Sequence, residues 1–223
     1  MNLCLFDLDD TLLPIDSDHA WGEFVTRIGW VDAAEFARRN DAFYAQYKAG
    51  ALDIHAYIAF ATEPLRARSI AELDAAQRRF MREVIAPVLR PSALELVRSH
   101  QARGDLVALV TATNDFITAP IAQAFGIDDL IAVRLERGAG GTITGCIAGT
   151  PSYREGKVTR VDEWLAGHGT AWAGFERISV YSDSVNDLAL LERATEPVAT
   201  NPSAALEAIA LERGWRVLQL FKQ

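Results

Sequence analysis

The chain has 223 residues, half of them hydrophobic, with 30 acidic against 22 basic residues and a formal charge of −8. That length supports one sizeable core and a smaller satellite unit, and an acidic balance without a Lys/Arg cluster excludes a phosphate-backbone partner and so a nucleic-acid binder. No apolar stretch approaches about 18 residues and the first residues carry no basic leader, so no membrane partner is expected and the chain reads as cytoplasmic. Cys4 in an apolar run and Cys146 in a Gly/Thr-rich segment fit neither a disulfide framework nor a CxxC site, so both read as buried or incidental thiols.

The first element runs from Leu3 through Phe6 and meets Asp7, Asp9 and Asp10 abruptly. Such a short apolar run reads as a buried parallel strand, and the carboxyl ends of such strands are where ligands sit in open α/β sheets. Three aspartates within four positions repel one another. A fold that brings them together needs a cation or raised pKa values, and a hard divalent metal is the simplest neutraliser.

After Pro14, Trp21, Phe24, Val25 and Ile28 form an amphipathic stripe that Gly29 ends. A second helix is expected to carry Phe36, Phe43, Tyr44 and Tyr47 up to Gly50, and a third Ile54, Tyr57, Ile58 and Ala61 before Pro64. Ser69 and Glu72 have capping-box spacing and open a fourth, with Leu73, Phe80, Met81, Val84 and Val88 inward. Four helices without a strand read as an inserted bundle over residues 15–88, leaving 1–14 and 89–223 as the catalytic core.

Alternation then resumes. Ser92 and Glu95 are expected to cap a helix ending at Gly104, followed by a strand Leu106–Val110 that stops at a polar turn, residues 111–115. The next helix ends at Gly126, with Pro120 limiting how early it can start. A strand near Ile131 leads into a hairpin through Gly140 and Gly141, and a helix begins at Glu155. A strand Arg177–Tyr181 then exits into Ser182, Asp183 and Ser184, and a short strand Val198–Thr200, a helix capped by Ser203 and a last segment from Trp215 follow. The fold class is therefore α/β, a mostly parallel sheet covered on both faces. His55, His100 and His168 lie in polar patterns without metal spacing and are expected to be solvated, and the five tryptophans are expected to pack in the core.

Asp7-x-Asp9-x-Thr11 after one strand, Thr111 after the second, Lys157 further on, and Asp183-x-x-Asn186-Asp187 after a later strand are individually weak signals. A Thr after a strand usually caps a helix, and a helical Lys is usually solvated. Their order and spacing together resemble the four motifs of the haloacid dehalogenase (HAD) superfamily of phosphohydrolases. The resemblance implies a Rossmann-like three-layer parallel-sheet core, with the helical insertion similar to the α-helical, C1-type cap of the phosphoserine-phosphatase-like branch, subfamily IB.

The resemblance also implies roles. Mg²⁺ would be held by the Asp7 carboxylate, the Asp9 backbone carbonyl and the Asp183 carboxylate, a choice that suits an all-oxygen site facing a substrate of about −1.5 to −2 charges. Asn186 and Asp187 would orient waters, Asp183 or Lys157 from behind, and Lys157 would pair with Asp7 and a phosphate oxygen. Thr111, with the neighbouring Ala112 backbone, would hold another phosphate oxygen. Asp7 would attack phosphorus to form an aspartyl phosphate, and Asp9 would act as general acid and then base. An acid at position 9 argues against dehalogenation, since a carbon–halogen bond needs no leaving-group proton.

Asp16 falls where phosphoserine phosphatases place the acid for the substrate amine, although an Asp there also suits a helix N-cap, and Asp18 and His19 lie nearby. Ala112 and Thr113 after Thr111, and Ser182 and Ser184 around Asp183, stand where those enzymes have glycines, which turns the resemblance toward hydrolases acting on histidinol phosphate. The expected function is Mg²⁺-dependent hydrolysis of a small phosphoserine- or histidinol-phosphate-like ester. A phosphotransferase with an alcohol acceptor, a receiver-type signalling domain and a non-catalytic regulatory module are the alternatives, and the oligomeric state is left open.

Overall fold

The computed structural model describes residues 1–221. Strand β1 (Asn2–Phe6) sends Cys4 and Phe6 to one face and Leu3 and Leu5 to the other, all four fully buried, as a central strand with both faces covered must. The first five helices that follow are α1 (Ser17–Arg27), α2 (Ala33–Lys48), α3 (Ile54–Ala61), the short α4 (Glu63–Arg66) and α5 (Ile70–Phe80). Asp16, Asp32, Asp53 and Ser69 cap four of them through their side chains, and the Ser69–Glu72 capping box is formed in both directions.

A π turn (Met81–Ile85) continues α5 and advances its inward phase by one residue. Ile85 is fully buried in consequence, whereas Met81, Val84 and Val88, expected inward, are only partly covered.

The chain continues as α6 (Pro91–Ala102), β2 (Leu106–Asn114), α7 (Asp115–Phe125), β3 (Asp129–Val133), β4 (Leu135–Arg137), β5 (Ile143–Ile147), α8 (Glu155–Gly167), β6 (Arg177–Ser182), α9 (Leu188–Leu191), β7 (Glu196–Thr200), α10 (Ala204–Glu212) and β8 (Arg216–Leu218). Six strands form one parallel sheet in the order β3-β2-β1-β6-β7-β8, and β4 and β5 form a separate antiparallel hairpin that packs on α3 and α4. Strand order reverses at β1, which makes its carboxyl end the switch point of the sheet. Phe6 is level with Leu109 on β2 and with Tyr181 on β6, so the residues just beyond reach one edge together.

Two apolar clusters sandwich the sheet. Leu3, Leu5, Val161, Leu165, Val180 and Leu206 lie on the side of α8 and α10. Cys4 and Phe6 belong to the other, which runs without a break into the inserted helices. Trp21 of α1 joins them, edge-on to Phe80 at 5.0 Å and to Phe116 of α7 at 5.4 Å.

Four local expectations are corrected. Strand β2 runs on to Asn114 through an irregularity in its register with β3 between Val110 and Asn114, instead of stopping at Val110. Helix α7 starts at Asp115 with Pro120 inside it. Proline has no N–H for the Phe116 carbonyl, and the Gln77 side-chain amide of α5 donates to that carbonyl instead. Helix α6 has Arg90 at the N-cap and Pro91 in its first turn, while Ser92 Oγ donates to the Leu220 carbonyl at 3.0 Å.

The fourth concerns His100, which is buried rather than solvated, between Asp105 Oδ2 (2.7 Å) and the Tyr181 hydroxyl (2.9 Å); His55 and His168 are exposed. Cys4 is a buried thiol and Cys146 an exposed one. Trp21 alone of the five tryptophans is fully buried. Among the described residues, no helix is long and apolar enough to cross a membrane.

Candidate active site

The site begins where β1 ends. The Asp7 N–H donates to the Tyr181 carbonyl at 2.9 Å, which extends the sheet by one residue and fixes Asp7 beside the end of β6. Lys157, in the first turn of α8 and 1 % exposed, donates to Asp7 Oδ1 at 2.9 Å and to the Asp187 carboxylate at 2.7 Å. Gly156 allows this approach, because a Cβ there would lie 2.1 Å from the Pro151 carbonyl oxygen. Ser182 Oγ donates to Asp187 Oδ2 at 2.8 Å, so Asp187 holds Lys157 and is itself held.

One ammonium thus serves two buried carboxylates. Burial alone would depress Lys157, but Asp187 and Asp7 outweigh it and keep its pKa above the ordinary lysine range. Burial pushes Asp7 up to about 6 despite Lys157, with Asp187 adding to the rise.

Asp183, 7 % exposed, receives the Thr11 hydroxyl at 3.3 Å, and its backbone carbonyl accepts from the Ser203 N–H at 2.9 Å. Its pKa is raised well above the ordinary value by burial first, then by the negative charges of Asp7, Asp10 and Asp187. Asp7 and Asp183 therefore face each other's field with Lys157 already committed. Among the described residues no three His, Cys, Asp or Glu side chains converge into a metal cluster. Two carboxylates with a backbone carbonyl are the kind of sparse oxygen set Mg²⁺ takes, since that ion keeps several waters. The excess negative charge on Asp7 and Asp183 fits a divalent cation there.

Asp9 points elsewhere. Its Oδ1 accepts from the Ser17 N–H and its Oδ2 from the Thr113 hydroxyl, both at 2.8 Å. Burial and then Asp16 raise its pKa well above the ordinary carboxylate value, which favours the protonated form. Two acids two residues apart thus occupy different environments, one paired with an ammonium and the other with neutral donors.

Thr111 is buried, its Oγ accepts from the Thr113 N–H at 3.1 Å, and with Ala112 and Thr113 it lines a cavity bounded by Asp7 and Asp9. Asp16, Asp18 and His19 of the α1 end, Asn40, Tyr44 and Tyr47 of α2 and Tyr57 of α3 complete much of the wall, which encloses about 30 Å³. Asp16 both faces this cavity and caps α1, its Oδ1 accepting from the His19 N–H at 2.8 Å. Burial raises its pKa although that bond opposes the rise. Asn186 reaches the inserted helices instead of Asp183 or Lys157, donating from Nδ2 to the Tyr47 carbonyl at 3.2 Å.

Thr113, Ser182 and Asp18 are site residues to which the sequence alone assigns no role. Thr113 and Ser182 stand where the resembled enzymes have glycine, so the departures themselves were the signal: each supplies a hydroxyl to an acid of the site. Asp18 gives no such signal, because its place in the cavity wall depends on how α1 packs.

The haloacid dehalogenase-like hydrolase family matches residues 4–192, and the chain belongs to that family. A histidinol-phosphatase of Neisseria meningitidis is 46 % identical over 217 residues, 97 % of this chain and 98 % of the relative. A phosphoserine phosphatase of Mycobacterium tuberculosis is 30 % identical over 95 % of this chain and 68 % of its own length. A protein of unknown function from Bordetella pertussis has a crystal structure that superposes with a TM-score of 0.94 at 52 % identity, covering 99 % of both chains. A substrate-bound phosphoserine phosphatase superposes at 0.67 with 18 % identity over 97 % of this chain and 91 % of that one, which shows a common fold. Within the family the chain is a phosphatase.

Proposed function

We propose that the protein is a Mg²⁺-dependent phosphomonoester hydrolase of small amino-alcohol phosphates, with histidinol phosphate ahead of phosphoserine, acting through an aspartyl phosphate on Asp7. The observation that carries this reading is the contrast between Asp7, held on Lys157 at 2.9 Å, and Asp9, held by Thr113 and Ser17 at 2.8 Å.

Mg²⁺ bound by the Asp7 and Asp183 carboxylates and the Asp9 carbonyl would neutralise charge between enzyme and phosphate. Asp7 attacks phosphorus, a P–O bond to its carboxylate forms, and the ester P–O bond breaks. Asp9 gives its proton to the departing alkoxide, then takes one from the water that attacks the aspartyl phosphate. The P–O bond to Asp7 breaks, phosphate leaves, and Asp9 is again protonated. Lys157 keeps Asp7 ionised and oriented, and Thr111 with the Ala112 backbone holds a phosphate oxygen. Ser182 and Asp187 keep the Lys157 ammonium in place.

Residues 15–88 act as the cap that closes over this edge and reads the leaving alcohol, with 1–14 and 89–223 as the core. The small cavity, its aromatic wall and the acids Asp16 and Asp18 support an amine-bearing leaving group, as does the similarity to the Neisseria histidinol-phosphatase. The test is acid quenching during turnover. Phosphate should be trapped covalently on the wild type and absent from Asp7→Asn, and an active enzyme with no trapped phosphate under single-turnover conditions would refute the intermediate.

A further inference from the structure

The chemical steps above give one acid of the cavity no role of its own. Asp18 lines the cavity and is 6 % exposed, yet its Oδ1 has no hydrogen-bond partner among the described residues. A buried carboxylate oxygen without a donor is costly, and in a native fold such an atom calls for a reason. The Tyr57 hydroxyl faces the Asp18 carboxyl but leaves that Oδ1 free, and on Asp16 beside it one oxygen accepts from the His19 N–H. Among the described residues no Lys or Arg lines the cavity, and the Nε2 of His19, the one potentially cationic side chain among them, is engaged by Asp41 Oδ1 at 2.9 Å. Phe43, Tyr44 and Tyr57 give the same wall a flat apolar character.

We infer that Asp18 is a specificity-determining residue that pairs with a second nitrogen donor of the leaving alcohol, beyond the amine facing Asp16. The site thereby selects alcohols that carry two N–H or cationic groups, one of them on a flat ring, and no carboxylate. A carboxylate on the leaving group would meet two acids and no cation, so the unpaired oxygen selects for one class of ester and against another. This inference rests on the amino-alcohol reading above.

The experiment measures kcat and KM for histidinol phosphate, phosphoethanolamine, propyl phosphate and phosphoserine with wild type, Asp18→Asn and Asp18→Ala. Hydrogen bonds to charged groups are worth enough to expect about a ten- to hundredfold effect. In either variant the ratio of kcat/KM for histidinol phosphate to that for phosphoethanolamine should fall by that factor, mainly through KM. Phosphoserine should be the poorer of the two amine-bearing small esters for the wild type.

A ratio unchanged within twofold in whichever variant folds, or wild type turning over phosphoserine as well as phosphoethanolamine, overturns the role of Asp18. If wild type does not separate phosphoethanolamine from propyl phosphate, the amino-alcohol reading itself fails and takes this inference with it. Free histidinol should also inhibit the wild type at least tenfold more strongly than free 2-aminoethanol, and equal inhibition counts against the second contact.

Discussion

Replacing Asp18 by Asn should stabilise the protein, and by an amount that depends on pH. Burial, reinforced by the negative charge of Asp16, pushes Asp18 from an ordinary 3.8 up to about 7, with the Tyr57 hydroxyl opposing the rise. Between those values the folded protein holds a proton that the unfolded chain has released, so stability falls as pH rises and levels off above the folded pKa. The gap between 3.8 and about 7, at 1.36 kcal/mol per pH unit, makes the full loss about 4 kcal/mol, of which about 3 falls between pH 5 and 8. Asparagine has no proton to lose. Urea unfolding of both proteins at pH 5 and pH 8 without divalent cations measures it: the advantage of Asp18→Asn should grow by about 3 kcal/mol. An advantage that is the same at both pH values, or a variant less stable than wild type at pH 8, would refute the assignment of Asp18 as an acid whose charge burial opposes.

Two further outcomes follow from the hydrogen bonds of the fold. Gln77→Ala should cost about 1–3 kcal/mol, because it leaves the Phe116 carbonyl without a donor, and much less in a Pro120→Ala background that restores the helical N–H. Equal costs in the two backgrounds, read by a double-mutant cycle in urea, would break the link between Pro120 and Gln77. Lys157→Met should destabilise by about 3–5 kcal/mol, because it strands Asp7 and Asp187. The loss should shrink when Asp187→Asn is added, and additive losses would mean the two residues do not share the ammonium.

What is legible in the sequence follows its short-range physics. Apolar runs ending in acids mark β1 and β6, and parallel pairing then carries Asp7 and Asp183 to a common edge whatever the details of the helices. Helix starts at Ser69 and Ser203 involve only neighbouring residues. Two of the misses depend on partners far along the chain. Pro120 lies inside α7 because Gln77 takes up the carbonyl it frees, and His100 is buried because Asp105 and Tyr181 satisfy both ring nitrogens. The π turn before Ile85 changes the phase of the stripe, which a constant helical period does not show. In the site, Asp18 lies among residues of α2 and α3, and no pattern local to α1 shows its free oxygen.

The most direct measurement is phosphate release from histidinol phosphate by wild type and Asp7→Asn, each with Mg²⁺ and with chelator. Release by the wild type that requires Mg²⁺ and is lost in Asp7→Asn is the predicted result. Near-normal release by Asp7→Asn, or by wild type in chelator, would contradict an Asp7 nucleophile working beside a divalent cation.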